Sequence, residues 1–170
     1  MPLFACKIYL NPVLQVPFVA LPVAAAAGIG ISIAPEIKSW YKTIKKPSWN
    51  PPNWIFGPTW TVLYTMMGIA SWRVWKAGGG PLPLGLYSLQ LVLNLAWSPI
   101  FFKLHKLGAA SLEISVLLGV LAATMVEFAK VDQTAALMMV PYAGWTSFAA
   151  ALTFTIWKLN PQEGKASKRP

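Results

Sequence analysis

Five apolar stretches, broken by short polar or Pro/Gly-rich segments, organise this chain: residues 14–34, 58–75, 83–102, 108–129 and 135–157. Each is close to the roughly 20 residues that a helix needs to cross a bilayer. The gaps after the second, third and fourth stretches are only a few residues long, so these helices must be antiparallel neighbours. The pattern predicts an all-α membrane protein: one bundle of five transmembrane helices filling residues 1–170, with a lid loop over 35–57 and a basic tail over 158–170.

Within the stretches, the polar and small residues are not scattered. The first is rich in small residues, with Ala24/Gly28 and Ala26/Gly30 as small-xxx-small pairs that let backbones approach, either inside the bundle or in a dimer. Pro22 is expected to bend it. Gly57-Pro58 suits the entry to the second, because Pro is tolerated in a first helical turn. In the third, Tyr87, Gln90, Asn94, Trp97 and Ser98 recur at helical spacing and form one polar face. Such a face turns away from lipid, to bind either a neighbouring helix or a ligand. Pro99 ends or kinks that helix before Ile100-Phe101-Phe102. The fourth carries Glu113, which either is an intramembrane carboxylate or pairs with Lys103 or Lys106. In the fifth, Pro141, Trp145, Ala149 and Leu152 share a face, which suits a pocket wall or plain core packing.

The segment between the first two stretches is different in kind. Residues 40–60 hold Trp40, Trp49, Trp54 and Trp60 together with Pro47, Pro51, Pro52 and Pro58. Proline fixes φ and pushes its predecessor toward extended geometry, so Lys46-Pro47 and Asn50-Pro51-Pro52 must lie outside any helix. Aromatic rings with a polar edge belong to membrane interfaces and to pockets for flat ligands. The loop is therefore an interfacial belt or a lid over a site that opens inside the membrane.

Composition agrees with a membrane chain: 56% of residues are hydrophobic and 11% charged, too greasy for an ordinary soluble domain. The net charge of +9 does not indicate nucleic acid, because the basic residues sit in separate loops and tails. In the five-span arrangement, Lys38, Lys42, Lys45, Lys46, Lys103, Lys106, Lys158, Lys165, Lys168 and Arg169 share one side, against Lys7, Arg73, Lys76 and Lys130 on the other. The positive-inside rule then places the Trp/Pro loop and the C-terminus in the cytosol. Lys7, the following apolar run and Ala24–Gly28 also fit a signal peptide, whose removal would leave four spans.

Familiar catalytic chemistry is missing. His105 is the only histidine and Cys6 the only cysteine, so neither a multi-histidine metal site nor a Ser-His-Asp triad can be assembled. Glu113 and Glu127 lie about 21 Å apart along a helix, too far for a paired acid and base. These residues argue for binding rather than turnover, with no obligatory cofactor.

The motifs also match a family. Trp40-Tyr41, Lys46-Pro47-Ser48-Trp49-Asn50-Pro51-Pro52, Trp54, Gly57-Pro58 and Trp60 through Tyr64 resemble the hallmark of the translocator protein family, also called tryptophan-rich sensory proteins or peripheral-type benzodiazepine receptors. Gln90, Asn94, Trp97 and Phe101-Phe102 match its third helix, and Pro141-Tyr142 with Trp145 its fifth. The resemblance runs from about residue 22 to 160. It implies a five-helix receptor or transporter-like protein that binds porphyrin or haem, sterols and synthetic aromatic ligands in a cavity closed by the first loop. By position, the implied pocket residues are Gly30, Ile33, Phe56, Thr59, Trp60, Trp97, Trp145, Ala149 and Leu152. Tyr41, Trp60 and Trp145 correspond to aromatics linked in bacterial relatives to porphyrin binding and light-dependent breakdown. Gln90 and Asn94 would add hydrogen bonds. The implied setting is the mitochondrial outer membrane, the alternatives being the endoplasmic reticulum or Golgi, or a bacterial outer membrane.

Three positions depart from the family pattern. The sterol-recognition pattern, Leu152 through Lys158, wants a central Tyr and has Phe154, so cholesterol binding through it is expected to be weak. Ala109 stands where animal relatives carry a pocket Trp, which opens that wall. Gly85-xxx-Leu89 replaces a pair of small residues, which weakens a homodimer through the third helix. Two other functions remain open: a porphyrin-degrading enzyme using aromatic radicals, and a membrane scaffold that recruits partners through its loop and tail.

Overall fold

The computed structural model describes residues 15–161. Cys6, Lys7, the start of the first apolar stretch and the tail residues Lys165, Lys168 and Arg169 lie outside this range. Every regular element among the described residues is helical: α1 (Gln15–Lys38), α2 (Trp40–Thr43), α3 (Phe56–Lys76), α4 (Pro81–Ser98), α5 (Leu107–Val131), α6 (Gln133–Met138) and α7 (Val140–Leu159). A short 3-10 turn (Asn53–Ile55) leads into α3, and a wide π turn (Pro99–Lys103) follows α4.

Four segments are long and apolar enough to cross a membrane: Gln15–Lys38, Pro81–Lys103, Leu107–Val131 and Gln133–Leu159. α3 is similar in length, but its Thr, Ser, Trp and Tyr side chains make it the least apolar of the long helices. α1 packs chiefly on α3, while α5 lies between α4 and α7.

Proline sets the local breaks. Pro141 has no N–H to offer the turn before it, so the fifth apolar stretch is not the continuous helix expected over 135–157; it divides at Met139 into α6 and α7. Pro99 opens the wide turn in which Leu104 N–H donates to Pro99 O at 3.0 Å, and Phe101 is carried into the core. α1, by contrast, runs through Pro22 and Pro35 and ends beyond the expected residue 34. Pro58 occupies the first turn of α3.

Close backbone approach occurs where the small-residue pairs did not place it. A Cβ on Gly28 or Gly30 would meet nothing within 4 Å, whereas one on Gly68 would fall 2.4 Å from Phe18 O and 2.7 Å from Val19 Cα. The α1–α3 crossing therefore depends on Gly68.

Two regions of packing result. Met67, Ala70, Val74, Leu121, Phe128, Ala135, Met139 and Tyr142 fill the bundle toward the α3–α4 and α5–α6 turns. Tyr41, Ile44, Phe101, Leu107, Ala110, Leu152 and Ile156 form a second cluster under the Trp/Pro loop.

Candidate functional site: a lidded cavity between the helices

Between these clusters lies a cavity of about 370 Å³, within the usual range for small-molecule sites. Its walls come from every long helix except α5. α1 contributes Gly30, Ile33 and Ile37, and α3 contributes Phe56, Gly57, Trp60, Thr61 and Tyr64. Asn94, Trp97 and Ser98 line it from α4, and Trp145, Ala149, Leu152, Thr153 and Ile156 from α7. Phe101 and Phe102 enter from the π turn, Tyr41 and Asn53 from the loop. Among the described residues, no charged side chain and no His, Cys or Met lines it.

The rings around it hold one another. Trp97 stacks on Phe101 with centroids 5.0 Å apart, and Trp145 meets Phe56 edge-on at 5.9 Å. Trp60 lies between Tyr64 (5.5 Å) and Tyr142 (6.3 Å). The indole N–H groups of Trp97 and Trp145 have no acceptor among the described residues.

The loop is an ordered cover. Tyr41 is buried against Phe101 and Phe102, and its hydroxyl donates to Asn50 Oδ1 at 2.8 Å. Burial pushes the Tyr41 phenol up to about 12, so it remains a donor throughout the physiological range. Lys46 folds back over the Tyr41 ring and donates to the Tyr41 and Ile44 carbonyls; burial lowers its pKa. Asn160, at the end of α7, pairs with the loop backbone: Lys45 N–H donates to its Oδ1 at 3.0 Å, and its Nδ2 donates to Lys45 O at 2.8 Å. His105 stacks on Trp40 at 4.0 Å and lies 3.3 Å from Glu36, which ties the α4–α5 turn to the start of the cover.

Most of the residues expected at the site meet at the cavity, with two exceptions in the pocket set. Thr59 lies off the Phe56–Trp60–Tyr64 face, since one residue turns a helix by about 100°; Thr61 lines the cavity instead. Gln90 is fully buried and accepts from the Tyr142 hydroxyl at 2.9 Å, so it joins α4 to α7 and does not face the cavity. Asn94, one turn further on, accepts from the Tyr64 hydroxyl and also lines the cavity. Of the three sterol-motif candidates Leu152, Phe154 and Lys158, only Leu152 reaches the cavity; Phe154 packs near Trp157 and Lys158 is exposed. Glu113 makes no ion pair with Lys103 or Lys106; its carboxylate oxygens are covered and have no hydrogen-bond partner among the described residues. Glu127 pairs with Lys130 at 2.6 Å. Tyr64, Ile37 and Thr153 were missed, although Tyr64 shares the helical period of Phe56 and Trp60.

Comparison with known proteins places this architecture. The TspO/MBR family model matches residues 18–158. The chain is 43% identical over 126 residues to the Translocator protein of Homo sapiens, covering 71% of this chain and 75% of that protein. It is 44% identical over 137 residues to the Tryptophan-rich protein TspO of Chlorobaculum tepidum, covering 78% and 87%. Protein CrtK of Rhodobacter capsulatus is 41% identical over 150 residues, covering 86% and 91%. With its apolar helices and a match across most of its length, the chain is a membrane protein and belongs to the TspO/MBR family.

Proposed function

We propose that this protein is a five-helix membrane receptor or carrier for flat, largely apolar ligands, with tetrapyrroles as the leading class and sterol-like lipids as the second. The observation that carries this reading is the covered, uncharged cavity with indole faces from Trp60, Trp97 and Trp145. A planar ring gains dispersion and π-stacking on such faces, and the Trp97 and Trp145 N–H groups, which have no acceptor among the described residues, offer donors to ligand acceptors. With no His, Cys or Met among the described lining residues, the phenols of Tyr41 and Tyr64 are the groups there that could reach haem iron; both are engaged with Asn50 and Asn94, so haem would be held chiefly by its ring. A metal-free porphyrin should therefore bind at least as well. The ligand's carboxylates, which no cation inside the cavity would neutralise, would emerge toward the lysines of the loop.

α3 is the fifth crossing in this reading, because it packs inside the bundle beside α1. The lysine-rich loop end faces the cytosol by the positive-inside rule, and the mitochondrial outer membrane is the proposed location. The site binds and does not turn over its ligand. Quenching of tryptophan fluorescence on titration with protoporphyrin, haem and cholesterol tests the proposal. Saturable quenching by protoporphyrin at micromolar concentration or below is expected. No saturable response to either tetrapyrrole would overturn it.

A further inference from the structure

The end of the bundle that carries the cover is unbalanced in charge. Lys38, Lys42, Lys45, Lys103, Lys106 and Lys158 are exposed there, and none has a carboxylate partner among the described residues. They come from separate parts of the chain: the end of α1, the cover, the α4–α5 turn and the end of α7. The Glu36–His105 contact and the Asn160–Lys45 pair bring these parts together. Glu36 is the one carboxylate at this end among the described residues, and it is engaged with His105.

Large apolar side chains stand beside these lysines. Trp54 is 74% exposed and Trp49 46%. Leu104 is exposed between Lys103 and His105, and Trp157 and Leu159 flank Lys158. Ammonium groups alternating with indole and aliphatic side chains match the boundary where headgroups meet acyl chains: rings and aliphatic groups enter the apolar layer while lysine stems extend to the headgroups.

We propose that this end of the bundle is a docking surface for anionic lipid headgroups, which supply the negative charge that its described residues lack. It lies outside the cavity and involves a different ligand class. The surface selects phosphatidylglycerol-, phosphatidylserine- or phosphoinositide-like lipids over phosphatidylcholine from the leaflet it faces. The attraction is electrostatic and falls with salt.

The test uses the full chain reconstituted in phosphatidylcholine bilayers containing a minor fraction of brominated phosphatidylglycerol or, in parallel, brominated phosphatidylcholine. Tryptophan quenching reports which lipid gathers at the protein. The expected preference for the anionic lipid is about threefold or more, collapsing toward unity in about 0.5 M salt. Combined Lys103→Gln, Lys106→Gln and Lys158→Gln substitutions should remove most of it, and Trp54→Phe should remove part of the excess signal. If that triple variant does not fold, Lys42→Gln with Lys45→Gln and the salt series carry the same test. Equal quenching by the two lipids would overturn the proposal, as would a preference that survives loss of the lysines. Two competition arms separate other anions. Loss of the preference in millimolar inorganic phosphate would assign a simple anion site, and displacement by a poly-glutamate peptide at low concentration would assign an acidic protein partner; either outcome overturns the lipid assignment.

Discussion

The two ends of this bundle are built on opposite plans. At the end away from the cover, the charges are paired except for Lys76, which lies over the Trp72 ring, and interiors are full. Arg73 meets Asp132 at 2.9 Å, and Asp132 also caps α6 by accepting from Ala135 N–H. Behind them Met67, Val74, Phe128 and Met139 are completely buried. At the covered end the helices part around a cavity, and the cover is held by polar contacts and ring edges. A packed core resists local opening because every displaced side chain leaves a void. A few hydrogen bonds, each with a net worth of about 1 kcal/mol, allow it. One end can thus keep the helices in register while the other is free to open for the ligand proposed above.

The largest effect should come from damaging the packed end. Phe128→Ala removes a fully buried ring that stacks near Tyr87, and should cost about 3 kcal/mol or more in stability. Thermal unfolding in detergent measures this, while protoporphyrin affinity per folded molecule should hold. A large loss of affinity with unchanged stability would erase the division of labour between the ends.

Trp145→Ala acts on the cavity and should do the reverse. Removing one stacking face costs roughly 1–3 kcal/mol for a flat base, and the same scale for a porphyrin gives about 5- to 150-fold weaker binding. Fluorescence titration of the folded variant is the measurement. The same variant in light also bears on breakdown: chemistry that consumed porphyrin through this ring would stop with it.

Asn160→Ala addresses the cover. It deletes both contacts to Lys45, along with an Nδ2 bond to Ile156 O within α7, and removes no side chain from the cavity lining. Two lost hydrogen bonds of about 1 kcal/mol each should speed ligand entry and release by roughly ten- to thirtyfold. Affinity should change far less, because opening affects both rates. Stopped-flow quenching separates the two. Unchanged rates would mean that ligands enter by another route.

How far these features were legible in the chain follows from the range of the interactions. Apolar length revealed the long helices, and the Lys46-Pro47 and Asn50-Pro51-Pro52 steps marked the irregular cover, because both effects act over a few residues. Gln90 and Asn94 lie on the same stripe and looked equivalent, but only the depth of each along α4 decides that Gln90 meets Tyr142 while Asn94 borders the cavity. The Asn160 clasp joins positions 115 residues apart, which no local pattern can display. Pro141 was visible, yet its effect depended on whether α5 and α3 offered α6 a separate place to pack; they do, with Ala135 fully buried. For Glu113, the pairing with Lys103 or Lys106 rests on their lying toward the same membrane side, but the two lysines are exposed and do not reach it.

The smallest expected effect tests whether the outer surface of the covered end contributes to sterol binding at all. Phe154 is half-buried near Trp157 and lies off the cavity wall, on the face of α7 that the sterol pattern would use. Phe154→Tyr adds one hydroxyl there and no volume inside the cavity. If a sterol lies along this face with its hydroxyl at the same level, the gain is that of one hydrogen bond, about 0.5–1.5 kcal/mol, or roughly two- to thirteenfold in affinity. Protoporphyrin binding should not move, because Trp60, Trp97 and Trp145 are untouched. Radiolabelled cholesterol binding to the purified protein and its variant measures the first, and fluorescence titration the second. A gain in sterol binding alone would make the covered end a site with two surfaces, one inside for rings and one outside for sterols. No gain would place any sterol inside the cavity, where it should compete with protoporphyrin.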